Sequence, residues 1–338
     1  SMKWFVDQLH KKGQKVKIYY TIRELTNYAT ELWALRSLGN EILGTGNGGG
    51  YPWLREHLID SYHPQWYQHF PDKSPDASIV NAPGDSRWLN YYIEGLAWLV
   101  KNIDIDGLYL DDVSYDRRTV KRIRKVLDNT KPGCLLDLHS NTGFSKGPVT
   151  QYAEFFPYMD KLWFGESFQY DRMLPENWLV EVSGIPFGLM GDMLHAGGNP
   201  WLGMVYGMTV RYPWFTEGVT CDPREIWKVW DEFGIESAAM TGYWEENCPV
   251  STTYPEVFAT IYIKDGKSLI AVGNWADTPV NVKLTFDWEK TGLDPRKAIL
   301  IAPEIADFQN GKLYKISDNI SIKPKKGLIL YLRESNDW

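Results

Sequence analysis

Cysteine, long apolar runs and net positive charge are all scarce in this 338-residue chain. It has only three cysteines, which lack the CxxC spacing of a zinc or redox site and leave room for one disulfide at most. No apolar run approaches the roughly 20 residues that a membrane-spanning helix needs. The formal net charge of -7 argues against nucleic acid as the main partner, because phosphate binding depends on clustered lysine and arginine. The composition indicates a globular protein whose oligomeric state stays open.

Two motifs of common enzyme classes are also absent. No glycine-rich turn follows the first predicted strand, which argues against a bound dinucleotide. No GxSxG sequence is present, which argues against the serine nucleophile of an α/β-hydrolase. We therefore expect chemistry that uses neither a cofactor nor a nucleophilic serine.

Aromatic side chains, by contrast, are abundant, with 16 Trp, 20 Tyr and 13 Phe. Many stand in polar surroundings, as in YPWLREHL at 51–58 and NPWLGMVYGM at 199–208. Flat rings of this kind suit a ligand with alternating CH faces and hydroxyl groups, as a sugar has. Packing of a large core accounts for many of them, so the excess suggests a carbohydrate ligand without establishing it.

Short apolar strand patterns alternate with longer amphipathic helix patterns from about residue 15 to residue 245. This alternation predicts a (β/α)8 TIM-type barrel, with a doubly wound open sheet as the alternative. The strand candidates are residues 15–23, 77–83, 106–113, 134–141, 161–168 and 185–193.

The N-terminal residues MKWFVDQLHKKGQ predict a helix ahead of the first strand, whereas a barrel begins with a strand. We therefore expect the barrel to be N-terminally incomplete. Ser1-Met2 resembles the scar of a cleaved tag, so a natural signal peptide would be absent from this sequence. An extracellular or periplasmic location is the corresponding expectation.

After about residue 251 apolar and polar residues alternate with period two, which is typical of antiparallel strands. Lys264-Asp265-Gly266-Lys267 has the composition of a hairpin turn. The sequence predicts two domains, a barrel over 1–250 and an antiparallel β-sandwich over 251–338.

Polar residues stand at the ends of several predicted barrel strands, where the active sites of such barrels lie. In strand 106–113 the alternate leucines face outward, which turns Tyr109 and Asp111 toward the barrel axis and leaves Asp112 just beyond. The same alternation turns Asp137 and His139 inward in strand 134–141. In strand 15–23 it predicts that Val16, Ile18, Tyr20 and Ile22 face outward and that Tyr19, Thr21 and Arg23 face inward.

Carboxylates from neighbouring strands therefore meet at one rim, since Glu166 ends the strand at 161–168 and Asp192 the strand at 185–193. Cleavage of a glycosidic bond needs one protonated and one ionised carboxyl group, and neighbouring like charges separate their pKa values. The sequence predicts Asp111, Asp112 and Glu166 as catalytic residues. The predicted substrate-binding residues are Arg23, Glu24, Trp53, Tyr115, Asp137, His139, Trp163 and Asp192.

Other interpretations of these residues stay open. Asp111, Asp112, Asp137, His139 and Asp192 could hold a hard cation in a metal-dependent hydrolase, although no HxH spacing accompanies them. Individual residues could instead serve as helix caps, a buried hydrogen-bonded pair or local ion pairs. The chain could also be a carbohydrate-binding or inactive relative of an enzyme.

The sequence DGLYLDD at 106–112 resembles the fourth-strand motif of retaining α-glycosidase barrels, in which D-x-x-x-x-D ends in the catalytic aspartate. That resemblance implies that Asp111 is the nucleophile. The Asp111-Asp112 doublet is also similar to the Asp-Glu doublet of N-acetylhexosaminidase-type enzymes, including glycoside hydrolase family 123. It implies that the first acid orients the substrate acetamide and the second is the general acid/base, although Asp112 is shorter than the family's glutamate.

Over residues 15–335 the chain resembles a group of bacterial glycoside hydrolases, through YYTIRELTN at 19–27 and the GNW sequence at 273–275. The resemblance implies a catalytic barrel, a C-terminal sandwich and a carbohydrate substrate.

Overall fold

The computed structural model divides the chain into two compact units, Ser1–Trp163 and Phe164–Trp338. The residues that it describes are 1–20, 24–26, 31, 34, 36–42, 77–79, 87–111, 116–140, 152–164, 168–193, 198–212 and 222–335. Within these ranges, no helix combines the length and the apolar character needed to cross a membrane.

The first unit alternates helices with short strands. In chain order its elements are α1 Met2–His10, β1 Lys17–Tyr19, β2 Glu24–Thr26, a 3-10 helix Arg36–Glu41, β3 Ala77–Ile79, α2 Arg87–Ile103, β4 Gly107–Asp111, α3 Arg117–Thr130, β5 Leu135–Ser140, a 3-10 helix Phe156–Tyr158 and β6 Lys161–Phe164.

The parallel sheet of this unit follows the order of the chain. β1 pairs in parallel with β4 and β4 with β5, and the strand order is β1-β4-β5-β6. A doubly wound sheet would return to the far side of its first strand after a few units, whereas barrel strands follow one another around the sheet. The order therefore agrees with the predicted barrel.

One predicted barrel strand lies elsewhere. Residues 77–79 form β3, which pairs antiparallel with β2 in a separate two-stranded sheet, with Glu24 opposite Ile79 and Thr26 opposite Ala77. The prediction for 77–83 was wrong in its partner, because a short apolar run indicates a strand but not the strand that it pairs with.

The helices of the first unit follow local sequence signals. α2 buries one stripe, which consists of Trp88, Leu89, Tyr92, Ile93, Leu96 and Val100. α3 begins at Asp116, whose side chain accepts a 2.7 Å hydrogen bond from the amide of Thr119. It ends before Pro132 and Gly133, and Gly133 has a φ of 86° that favours glycine.

The second unit begins with short helical segments and continues into a large antiparallel sheet. Its helices are a 3-10 helix Tyr170–Arg172, α4 Pro175–Asn177 with a π-helical continuation Trp178–Val182, a 3-10 helix Ile185–Phe187, α5 Pro200–Gly203, a 3-10 helix Met204–Tyr206, α6 Pro223–Phe233, a 3-10 helix Ile235–Ser237 and α7 Trp288–Thr291. Its strands are β7 Met190–Met193, β8 Thr209–Val210, β9 Ala239–Thr241, β10 Val250–Thr252, β11 Val257–Lys264, β12 Lys267–Asn274, β13 Val280–Val282, β14 Leu284–Phe286, β15 Ala298–Ala302, β16 Lys312–Lys315, β17 Ile320–Ile322 and β18 Gly327–Glu334.

The predicted strand at 185–193 forms only over its last residues. β7 begins at Met190 and pairs in parallel with β8, a two-residue strand that is not among the predicted strands. Ile185–Phe187 instead form a 3-10 turn between Gly184 and Gly188, whose φ angles are 76° and 69°. The two glycines allow the left-handed turns that bound this segment.

The antiparallel sheet of the second unit has the strand order β16-β15-β18-β12-β11-β9. The predicted hairpin joins β11 to β12, with Lys264 opposite Lys267 and positive φ angles of 48° at Asp265 and 72° at Gly266. One face of the sheet buries an apolar core with the smaller pairs β10–β14 and β13–β17, as in a sandwich.

The other face of the sheet packs against helices. Ile226, Val229 and Phe233 of α6 join Trp201 and Met204 in a buried cluster with residues of β11, β12 and β18. The amphipathic sequence PREIWKVWDEFG at 223–234 predicts this helix, but as one of the α/β repeats. The apolar stripe of α6 fits either a parallel or an antiparallel sheet, and in the structure it packs on the antiparallel sheet.

A buried carboxylate joins three elements at the N-terminal end of β4. Asp106 is 7% exposed and accepts hydrogen bonds from the Val16 amide at 2.6 Å, from His10 Nε2 at 2.7 Å and from Lys131 Nζ at 2.8 Å. Burial raises the pKa of Asp106, but the hydrogen bonds from Lys131, Val16 and His10 lower it by more, so its pKa lies below the usual range. The carboxylate therefore stabilises the folded state in its ionised form.

We expect Asp106→Asn to lower the free energy of unfolding by about 2–4 kcal/mol at pH 7, because a neutral amide replaces the buried carboxylate that accepts from three donors. The pKa of Asp106 is lowered on folding, so its contribution is complete above the unfolded-state pKa of about 3.9 and is lost as the pH falls through the folded-state value. The free energies of unfolding of the wild type and the variant, measured with urea, should therefore converge as the pH falls from 7 to strongly acidic values.

Asp104→Asn is the matched control, since Asp104 also contacts Lys131, at 2.7 Å, but its side chain is 46% exposed. Exposed ion pairs contribute about 0–1 kcal/mol, so this variant should lose much less stability. Equal losses for the two variants would contradict the role assigned to Asp106.

A buried amide organises the GNW sequence at the end of β12. Asn274 is 0% exposed, and its Nδ2 donates to the carbonyls of Thr278, Ile322 and Lys323 at 3.2, 3.2 and 3.1 Å. Its Oδ1 accepts from the amide of Ala276 at 2.9 Å. The Asn274 side chain thus satisfies backbone groups of the turn after β12 and of the C-terminal end of β17.

We expect Asn274→Leu to lower the free energy of unfolding by about 2–4 kcal/mol, because buried backbone groups lose their partner. Asn281→Leu, at an exposed position of β13, is the control and should change stability by no more than about 0.5 kcal/mol. Urea unfolding monitored by circular dichroism measures both; a loss in Asn274→Leu no larger than the control's would refute the assignment.

Candidate functional site

The C-terminal ends of β4 and β5 lie side by side in the first unit. Their parallel register pairs Tyr109 with Asp137 and Asp111 with His139. Leu108 and Leu110 are 0% and 1% exposed, as expected for the face opposite Tyr109. The backbone of Asp111 therefore ends β4 directly beside His139.

The same alternation holds in β1, where Tyr20 and Tyr19 lie on opposite sides. The Tyr20 ring stacks on that of Tyr92 in α2, with ring centroids 4.4 Å apart. Burial, and to a smaller extent the nearby Tyr91, raises the pKa of Tyr20 to about 12. Tyr19 is aligned with Tyr109 across the β1–β4 pair. The expected outward direction of Tyr20 and inward direction of Tyr19 are confirmed.

Aromatic rings form a row on this inner face. Tyr109 stacks on Tyr19 with ring centroids 6.1 Å apart, meets Trp163 edge to face at 6.2 Å and lies 5.8 Å from the His139 ring. Tyr19 is 50% exposed at one end of the row. The row offers apolar ring surface of the kind that contacts the CH faces of a sugar.

A partly buried ion pair lies next to this row. Asp137 is 1% exposed, and its Oδ2 accepts hydrogen bonds from Lys17 Nζ and, at 2.8 Å, from Trp163 Nε1. The Lys161 ammonium lies 4.3 Å from the centre of the Trp163 ring. The structure thus joins two predicted binding residues, Asp137 and Trp163, through a direct hydrogen bond.

Lys17 was not among the site residues predicted from the sequence. It stands two positions before Tyr19, so the alternation in β1 gives both residues the same face. That signal was available, but nothing local indicates that a lysine reaches a carboxylate on a strand 120 positions later.

His139 and Asp192 are both buried, at 6% and 2% exposure. His139 packs against Tyr109 in the first unit. Asp192 belongs to β7 of the second unit, where it is aligned with Thr209 of β8. The structure gives both side chains a buried strand position.

Several predicted residues lie outside the described part of the chain. Arg23, Trp53, Asp112, Tyr115 and Glu166 are among them. For Asp111 and Glu24 the structure describes the backbone, with Glu24 in β2, but not the side chain. Their catalytic and binding roles, including the separation of the Asp111 and Glu166 carboxyl groups, stay predictions.

Family comparisons cover almost the whole chain. The family model described as glycoside hydrolase 123, TIM-barrel domain, matches residues 1–213. The model described as glycoside hydrolase 123, C-terminal domain, matches residues 222–333. No curated protein matches the chain in sequence.

Solved structures with the same fold include α-amylases. The chain is similar to the α-amylase of Geobacillus thermoleovorans complexed with acarbose, at 13% identity and a TM-score of 0.61, over 99% of this chain and 81% of that one. It is similar to an Anoxybacillus α-amylase at 12% identity and a TM-score of 0.61, over 100% and 80% of the two chains. The fold is thus a TIM-type barrel domain followed by a C-terminal domain, as predicted.

Proposed function

We propose that this chain, which belongs to glycoside hydrolase family 123, cleaves an oligo- or polysaccharide, and that Asp111 and Glu166 are its carboxyl pair, as the resemblance of DGLYLDD to retaining α-glycosidase barrels suggests for Asp111. The observation that carries the proposal is the β4–β5 register, which ends β4 at Asp111 beside His139 and next to the row of rings. Barrel enzymes build their sites at this end of the strands.

In this proposal one carboxyl group assists departure of the leaving oxygen as an acid, while the other acts on the sugar as an anion. Asp111 is the nucleophile and Glu166 the acid/base, and Asp112 orients the substrate or exchanges roles with its neighbours. Like charges close together raise the pKa of one partner, which gives the two groups different protonation states.

Substrate contacts in the proposal come from polar groups around the rim and from the rings. Sugar hydroxyl groups would bind to Arg23, Glu24, Asp137, His139 and Asp192, and sugar CH faces to Trp53, Tyr115 and Trp163. The ring row formed by Tyr19, Tyr109 and Trp163 supports this assignment, because it brings apolar surface next to the end of β4.

We expect Asp111→Asn to reduce kcat by at least about 10³-fold, because an amide cannot serve as the nucleophile. A panel of 4-nitrophenyl glycosides that differ in sugar and anomeric configuration measures the loss and identifies the preferred sugar. Asp116→Asn is the control, since Asn caps a helix about as well as Asp and should leave activity unchanged. Activity of Asp111→Asn above a tenth of the wild type would reject the assignment.

We expect the effect of Glu166→Gln to depend on the leaving group. A 2,4-dinitrophenyl glycoside departs without a proton, so the first chemical step should slow far less than with the corresponding alkyl glycoside, for which the loss should reach about 10²–10⁴-fold. Pre-steady-state and steady-state rates measure the difference, with the exposed Glu176→Gln as control. If Asp112→Asn gives this pattern and Glu166→Gln does not, Asp112 is the acid/base.

A further inference from the structure

We propose that Lys17 is a positioning residue for substrate binding, which acts by holding Asp137 as the acceptor that orients the Trp163 indole in the ring row. This inference rests on the proposed function, because it assigns the ring row to the sugar site. It adds a residue, Lys17, to which neither the family comparisons nor the predicted carboxyl chemistry gives a role.

Lys17 and Asp137 form an ion pair within the first unit. The side chain of Lys17 is 25% exposed, whereas that of Asp137 is 1% exposed. A buried charge costs free energy unless it is paired with an opposite charge and hydrogen-bonded. Lys17 supplies that opposite charge from β1, on the same face of the sheet as Asp137.

Both donors of Asp137 converge on one oxygen. Oδ2 accepts from Lys17 and from Trp163 Nε1, while no described residue donates to the buried Oδ1. Without Lys17 this oxygen would keep the indole as its one donor among the described residues, and the buried charge would lose its positive partner. A carboxylate acceptor makes the bond from the Trp163 indole charge-assisted.

The indole has a single polar atom, so the bond from Nε1 to Asp137 fixes how the ring turns. The Lys161 ammonium lies over one face of the indole, and the Tyr109 ring meets it edge to face at 6.2 Å. A ring held in place binds a sugar without losing side-chain freedom, and that saving contributes to affinity. The network is therefore expected to act on binding more than on the chemical step.

Stability alone gives little reason for this ion pair. Buried ion pairs can often be replaced by apolar residues of similar volume without loss of stability. This ion pair instead holds the acceptor of the indole hydrogen bond, so its role is to orient the Trp163 ring. Two neutral double variants separate this orienting role from charge balance.

The decisive comparison is between Lys17→Met/Asp137→Asn and Lys17→Met/Asp137→Leu. Both remove the two charges, but only Asn keeps an oxygen that can accept from Trp163 Nε1. We expect KM of the Leu variant to exceed that of the Asn variant by about 10-fold or more, with the two kcat values within about 3-fold of each other. The substrate is the 4-nitrophenyl glycoside that the wild type hydrolyses fastest.

Fluorine NMR of protein labelled with 5-fluorotryptophan reads the indole directly. Trp163→Phe assigns the Trp163 resonance by its disappearance. We expect that resonance to move in Lys17→Met and in the Leu double variant, to stay near its wild-type position in the Asn double variant, and to recover in Lys17→Arg. Lys15→Met removes an exposed lysine just ahead of β1 and should change neither the resonance nor KM.

An unchanged Trp163 resonance in the Leu double variant overturns the proposal, as does a fall in kcat without a rise in KM. If the wild type hydrolyses no glycoside of the panel, the proposed function fails. The NMR comparison still tests whether Lys17 and Asp137 orient Trp163, so the two failures are distinguishable. If Lys17→Met does not fold, the two neutral double variants carry the test.

Discussion

The parallel register between β4 and β5 is the constraint on which the candidate site depends. It aligns Tyr109 with Asp137 and Asp111 with His139, and it gives the leucines of β4 to the opposite, buried face. A slip of one residue would exchange the two faces, because side chains alternate along a strand. The leucines would then lie among the rings, and Tyr109 and Asp111 would face apolar packing. The apolar half of β4 therefore fixes the position of its polar half.

Two buried carboxylates of the first unit, Asp106 and Asp137, have different sets of hydrogen-bond donors. At the N-terminal end of β4, Asp106 is held by His10, Lys131 and the Val16 amide, and this network joins α1, β1 and the end of α3. On the inner face, Asp137 has fewer partners, and one of its oxygens receives no hydrogen bond from the described residues. The first arrangement satisfies a buried carboxylate with three donors, as a stabilising network does. The second has one buried oxygen with no donor among the described residues, which is more typical of a functional site.

In the second unit the antiparallel sheet is buried on both faces. The pairs β10–β14 and β13–β17 cover one face, while α6 and residues near Trp201 and Met204 cover the other. Strands of a sheet that is covered on both faces have nearly continuous apolar sequences. β12 accordingly has buried residues at almost every position. Asn274 ends this strand and satisfies backbone groups that would otherwise be buried without partners. These hydrogen bonds explain why Asn274, the polar residue of the GNW sequence, stands at the buried end of β12.

The sequence by itself determined the features that depend on near neighbours in the chain. Asp116 starts α3, Asp265-Gly266 turns the β11–β12 hairpin, and the alternation in β4 separates leucines from Tyr109. The tertiary structure alone decided the partners: that β3 pairs with β2, that α6 packs on the antiparallel sheet, and that Lys17 reaches Asp137. Caps, turns and periodicity are encoded within a few residues, whereas the choice of partner depends on which buried faces of distant segments fit together. The same apolar stripe or strand can satisfy several partners, and only the complete packing selects among them.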